Sequence, residues 1–247
     1  METAGAVAEL TRQALKQDFK NIDPKKTRII LIEAGERILA PFHSSLSAYA
    51  QNALEKMGVE IWCNRKVVDC DEYGLTIDDE YLPAESVIWA AGIVASPAAK
   101  WLGIETDRSG RIEVDNSLQI EGLNDVYAIG DLALVSGKNG QPLPGLAPVA
   151  KQQGKYVAKH ILAKDKAKSK PFKYRDGGMQ ATIGRDAAII QYGRFRLTGR
   201  LAWWAWSMAH IYFLITVRSR LSMFSAWLWS CFTVQRHSRL IIGRGEN

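Results

Sequence analysis

Asp125-Val126-Tyr127-Ala128-Ile129-Gly130-Asp131 is the stretch on which the fold of this chain turns. Val126, Ala128 and Ile129 are apolar and Tyr127 favours extended backbone, so the run predicts a short buried strand. Gly130 has no Cβ and lets a ligand come close to the main chain. Asp131 then points beyond the strand's carboxyl end, which is where open α/β sheets bind nucleotides. A carboxylate in that place accepts hydrogen bonds from ribityl or ribose hydroxyls. The same Gly-Asp ending also suits a plain tight turn, so its meaning depends on its neighbours.

Three further segments point the same way. Val87-Ile88-Trp89 predicts another buried strand, and it leads into Ala90-Ala91-Gly92, where three small residues let a cofactor lie against the backbone. Arg28 to Glu33 (RIILIE) is a continuous apolar run of strand length, as in a parallel strand buried on both faces. It ends on Glu33, followed by Ala34 and Gly35. An acid at that point of a dinucleotide-binding βαβ unit accepts from the adenosine ribose hydroxyls and repels a 2′-phosphate. A solvated glutamate at a strand end is the plainer alternative. Residues 1–20 carry Ala4, Val7, Ala8, Leu10, Ala14 and Leu15 at helical spacing, with no charged-then-apolar leader. Asp23-Pro24 breaks that helix.

Residues 43–57 predict a second helix, closed by Gly58, and Val59 to Trp62 a strand. Lys66 to Val68, Gly74 to Ile77 and Tyr81-Leu82 read as a small meander crossing one face of the parallel sheet. Gly110 to Val114 and Ser117 to Glu121 predict a hairpin. After Gly130-Asp131 comes a loop rich in glycine and proline, 136–148. Ala147-Pro148 then opens a helix, with proline at the first position, where its missing N–H is harmless. The free N–H groups of that helix start suit an anionic group. Lys164 to Lys170 reads as a polar linker. Met179 to Ile183 and Ala187 to Tyr192 predict two strands joined by Gly184-Arg185-Asp186.

Charge is unevenly spread. The 247 residues carry a net +6. Between Ala187 and Gly245 there are eight arginines, no lysine and no acid. The remainder is therefore slightly acidic, and the asymmetry suggests an anionic partner for the tail. Leu201 to Val217 and Leu221 to Val234 contain no Lys, Arg, Asp or Glu and hold five of the eight tryptophans. Arginine and tryptophan at the edges of apolar runs suit a membrane–water interface. A 17-residue helix rises about 25 Å against a hydrocarbon core of about 30 Å, so the expected helices lie on the bilayer instead of crossing it. A buried helical hairpin or dimer face is the alternative. Nucleic acid fits poorly, because the arginines frame apolar runs. The three cysteines, Cys63, Cys70 and Cys231, have no C-x-x-C spacing. They argue against a disulfide framework and a zinc site, and no other metal site is expected.

Taken in order, METAGAVAEL, RIILIEAGERIL, VIWAAG, VYAIGDLA, LPGLAPVAKQQG, ATIGR and the Trp/Arg tail resemble the C-terminal part of a type II NADH dehydrogenase. This is the single-chain, non-proton-pumping, FAD-dependent NADH:quinone oxidoreductase of respiratory membranes. The resemblance implies an α/β fold: an incomplete Rossmann-like FAD/NAD(P)-binding parallel sheet with a β-meander, followed by a C-terminal membrane-associating helical segment. The implied domains are an NADH-binding part at residues 1–115, the C-terminal part of an FAD-binding domain at 116–165, and a hairpin with amphipathic anchoring helices at 171–247. FAD and NADH are the implied cofactors.

The resemblance also places residues. Gly130 and Asp131 match the second FAD contact, and Ala147 and Pro148 the helix start beside the flavin ring and quinone pocket. Glu33 and Ala34 match the NADH ribose site, Ala91 and Gly92 a loop near the nicotinamide nucleotide, and Glu2 the catalytic-site glutamate near nicotinamide and flavin. Many relatives have glutamine where this chain has Pro148, so Gln152 and Gln153 join it as quinone-site candidates. The glycine-rich FAD and NADH fingerprints of the family are not found in these residues, which implies a truncated or fragment form. The implied activity is hydride transfer from NADH to flavin and then of two electrons to quinone. The implied location is peripheral, on the cytoplasmic face of a bacterial inner membrane or on the mitochondrial inner membrane. Lipid would be contacted through residues 200–240, and homodimerisation is left open. The alternatives are another flavin-dependent NAD(P)H reductase and a non-catalytic, membrane-associated nucleotide-binding remnant.

Overall fold

A computed structural model describes residues 1–14, 23, 26–137, 140–163 and 170–232. The expected Asp23-Pro24 break, the end of the first helix, the 164–169 linker and the last residues of the tail lie outside these. The chain divides into two compact units, residues 88–177 and the remainder on either side.

The first unit is built on the segments with the clearest periodicity. Helix α1 (Glu2–Glu9) runs into a π-helical turn, Leu10–Ala14. Strand β1 (Ile29–Glu33) pairs in parallel with β2 (Val59–Cys63), and helix α2 (Ser44–Lys56) connects them. The His43 side chain accepts from the Ser45 N–H at the start of α2. At its end Gly58 takes φ +79°, and the Arg12 guanidinium donates to the carbonyls of Met57 and Gly58 at 2.8 and 3.1 Å. Helix C-terminal carbonyls have no intrahelical partner, so this arginine supplies one. Leu46, Ala50 and Leu54 of α2 meet Val59, Ala181, Ile183 and Ile189 in one core. Burying each Leu or Ile is worth about 1.5–3 kcal/mol.

The meander is present as β3 (Val67–Cys70), β4 (Gly74–Ile77) and β5 (Glu80–Pro83), all antiparallel. Asp71 closes its first turn by accepting from the N–H groups of Tyr73 and Gly74 and from the Tyr81 hydroxyl.

In the second unit lie α3 (Ala98–Leu102), β6 (Ile112–Glu113), a 3₁₀ turn at Gly130–Leu132, β7 (Ala133–Leu134) and α4 (Ala147–Leu162). Strands β6 and β7 pair in parallel. Ala99, Ile112, Ile120, Ala128 and Ala133 form the core. Back in the first unit, β8 (Met179–Ile183), β9 (Ala187–Tyr192) and β10 (Phe195–Thr198) form an antiparallel sheet, on which α5 (Gly199–Tyr212) packs. Helix α6 (Val217–Phe232) follows.

Several expectations are corrected. Val87-Ile88-Trp89 is not a strand, and Ile88 and Trp89 are 62% and 65% exposed. A strand exists only with a neighbour to share its hydrogen bonds, and no described strand lies beside this run. The Asp125–Ile129 strand shrinks to a single bridge between Tyr127 and Gln119. The Gly110–Glu121 hairpin keeps one bridge, Val114 to Ile120, because β6 instead pairs with β7. Strand β1 has one partner and is half-buried, not covered on both faces. Strand β10 was not foreseen. The apolar run 201–217 is interrupted, with α5 ending at Tyr212 and α6 starting at Val217.

Candidate functional site

Within residues 88–177, a half-open cavity of about 180 Å³ is lined by Gly130, Asp131, Gln153, Arg111, Gly145 and Ile93, among others. Its floor is set by the turn after Tyr127. Gly130 adopts φ +67°, a left-handed conformation that costs an L side chain strain. The backbone thereby turns into the 3₁₀ segment and leaves Asp131 exposed at the cavity. Across from it, Gly145 keeps the space open: a Cβ there would sit 3.0 Å from Asp131 Oδ1 and 3.1 Å from Ile93 Cδ1. Space for a ligand beside a carboxylate is what a polyhydroxyl chain requires, so these residues fit a ribityl group.

Arg111 contributes a cation whose charge is largely matched. Its guanidinium Nη2 lies 2.7 Å from Asp107 Oδ2, and its N–H donates to Oδ1 at 2.9 Å. Asp107 is consequently held below the usual carboxylate range, first by the Arg111 backbone N–H and then by its guanidinium.

The residues near α4 divide sharply. Ala147 and Pro148 are exposed at its start, with Pro148 in the first turn. Gln152 exchanges two hydrogen bonds with the backbone of Arg175, at 2.9 and 3.0 Å. Gln153 is 1% exposed, and its Oε1 accepts from the Gly130 N–H at 2.6 Å. Ala91 and Gly92 lie in an exposed bend before Ile93, with Gly92 at φ +115°, and a Cβ on Gly92 would meet nothing within 4 Å.

The remaining acids belong to the other unit. Glu33 is the last residue of β1, half-buried, and its Oε1 accepts from the Gly35 N–H at 2.9 Å. Ala34 beside it is exposed. Glu2 opens α1, and its Oε1 accepts from Thr182 N–H and Oγ1 at 2.8 and 3.1 Å. Both carboxylates act on the Met1 amino group, whose pKa burial lowers and their attraction partly restores. The structure thus brings Glu2 and Glu33 into one neighbourhood, and Asp131 and Gln153 into another.

The tail helices carry much exposed apolar surface. Trp203, Trp204 and Trp227 cluster where α5 meets α6, with ring centroids 4.6 to 6.1 Å apart. Leu201, Tyr212, Phe213, Ile215, Val217, Leu221 and Trp229 stay exposed. No described helix is long and apolar enough to cross a membrane.

A family model described as pyridine nucleotide-disulphide oxidoreductase matches residues 1–154, and the chain belongs to that family. Cys63 and Cys70 are free, so the two do not form a disulfide with each other. The chain is 36% identical over 242 residues to the type II NADH:quinone oxidoreductase NdhA of Mycobacterium tuberculosis, covering 92% of this chain and 50% of that one. It is 35% identical over 189 residues to the type II NADH:quinone oxidoreductase of Staphylococcus haemolyticus, covering 73% of this chain and 46% of that one. The solved NDH2 of Plasmodium falciparum in complex with NADH shares the fold, with a TM-score of 0.83 at 18% identity over 94% of this chain and 63% of that one. The chain spans about half the length of the curated relatives it matches.

Sequence reasoning missed Arg111 and Gly145 as cavity residues, and Asp107 as the partner of Arg111. An Asp107/Arg111 pair four residues apart is a legible signal, but nothing local says that it borders Asp131. Gly145 lay inside a loop read only as glycine-rich.

Proposed function

We propose that this chain provides the NADH- and FAD-contacting residues of a type II NADH:quinone oxidoreductase. The observation that carries this is Asp131, exposed at a cavity that Gly130 and Gly145 keep open, in a chain 36% identical to a relative of that activity. Asp131 would accept hydrogen bonds from the ribityl hydroxyls of FAD. Bound FAD supplies the redox chemistry, taking a hydride from NADH and passing two electrons to a quinone. Glu33 and Ala34 form the NADH ribose end, where the acid accepts from the sugar and repels a 2′-phosphate. Ala91 and Gly92 leave their backbone open to the nicotinamide nucleotide. Glu2, tied to Thr182, is the candidate contact for the nicotinamide. Of the three quinone candidates Pro148 alone is exposed, which supports a quinone edge at the start of α4.

Helices α5 and α6 would seat the protein peripherally on a respiratory membrane, the inner membrane of a bacterium or mitochondrion, where the quinone is dissolved. Arg200, Arg218 and Arg220 would face lipid headgroups and the exposed tryptophan and aliphatic side chains the acyl boundary.

Titration of the purified full chain with FAD, followed by quenching of flavin fluorescence, tests the cavity assignment. Saturable binding is expected, weakened about tenfold or more in D131A, which removes a charged acceptor. A chain that takes up no FAD, or D131A binding as tightly as wild type, would contradict it.

A further inference from the structure

We propose that Gln153 is the positioning residue for Asp131, acting through the backbone of Gly130 and not through contact with quinone. This rests on the reading of Asp131 as the flavin-sugar acid. Gln153 sits in the second turn of α4 and is 1% exposed, a site where an amide is costly unless it is bonded. Its Oε1 accepts from the Gly130 N–H at 2.6 Å across 23 residues of chain. Gly130 is the first residue of the 3₁₀ turn, so its N–H has no partner within that turn. The glutamine supplies one.

The same helix face runs alongside Gly130. Ala150 lies three residues before Gln153, and its Cβ is 3.5 Å from where a Cβ on Gly130 would stand. The left-handed Gly130 is therefore tied to α4 by the hydrogen bond from its N–H, in a 3₁₀ turn that packs against that helix. The next residue along is Asp131, which has no such anchor of its own and projects at the cavity. Fixing Gly130 fixes the direction in which that carboxylate leaves the chain.

The experiment compares full-length wild type with Q153M and Q153E. Amide hydrogen exchange at Gly130 is read by NMR and FAD affinity by flavin fluorescence. Methionine keeps the length and apolar body but has no oxygen; glutamate keeps an oxygen for the same N–H in either protonation state. Q153M is expected to speed exchange at Gly130 and to weaken FAD binding, each about tenfold, while Q153E returns both to within about threefold of wild type. A purely packing role would give the reverse order, because a buried site accepts methionine and resists a carboxyl group. Unchanged exchange and affinity in Q153M, or Q153E behaving worse than Q153M, would overturn the proposal. Wild type failing to take up FAD would defeat the flavin reading instead, and exchange at Gly130 would still decide whether Gln153 holds the turn.

Discussion

Glu9 and Glu33 are acids of one unit put to different uses by their surroundings. Glu33 ends a strand, half-buried, with one oxygen taken by Gly35. If it faces the NADH ribose, E33Q removes the charge that repels a 2′-phosphate. The ratio of kcat/KM for NADPH over NADH should then rise about tenfold or more. An unchanged ratio in steady-state assays would remove Glu33 from the site. Glu9 has a structural duty, accepting from the Arg185 N–H at the β8–β9 turn. Burial pushes its carboxyl above the usual range, against the pull of Arg185. A raised acid pKa means that its contribution to stability is complete below the ordinary glutamate range and is lost as pH rises through the raised value. Thermal unfolding from acid to neutral pH should show this loss in wild type and not in E9Q. Parallel curves for the two would contradict it.

Elements show where sequence stops being sufficient. Helix α2, strands β1 and β2 and the β8–β9 hairpin were legible because periodicity, Gly58 and Gly184-Arg185-Asp186 are local signals. Val87-Ile88-Trp89 has the same apolar character but no described partner strand, so hydrophobicity alone did not make it one. Tyr127 similarly keeps one bridge, because its neighbours turn into the 3₁₀ segment. Among the candidate residues, Gly130, Asp131 and the α4 start in one unit and Glu33 in the other were picked out as motifs. The bond from Gly130 to Gln153 was not, since it joins residues 23 apart and depends on how α4 packs. Helices α5 and α6 make a prediction of their own. Sedimented with anionic vesicles at low salt, the full chain should be recovered in the pellet. R218Q/R220Q should shift it toward the supernatant as salt-sensitive attraction is lost. Wild type remaining in the supernatant would mean that the exposed apolar face serves something other than lipid.

At the scale of the whole molecule, the two acids proposed to meet nucleotide cofactors lie in a chain whose basic charge is concentrated in its tail. A body that is slightly acidic and a tail with eight arginines suit the proposed division between a soluble dinucleotide and a membrane-dissolved acceptor. Membership of the pyridine nucleotide-disulphide oxidoreductase family fits an α/β body of this kind. The most direct test follows NADH oxidation by the purified full chain supplied with FAD and a short-chain quinone. Oxidation that requires the quinone and proceeds far more slowly with NADPH is the predicted result. A flavin-loaded chain that leaves NADH unoxidised in the presence of quinone would contradict the account.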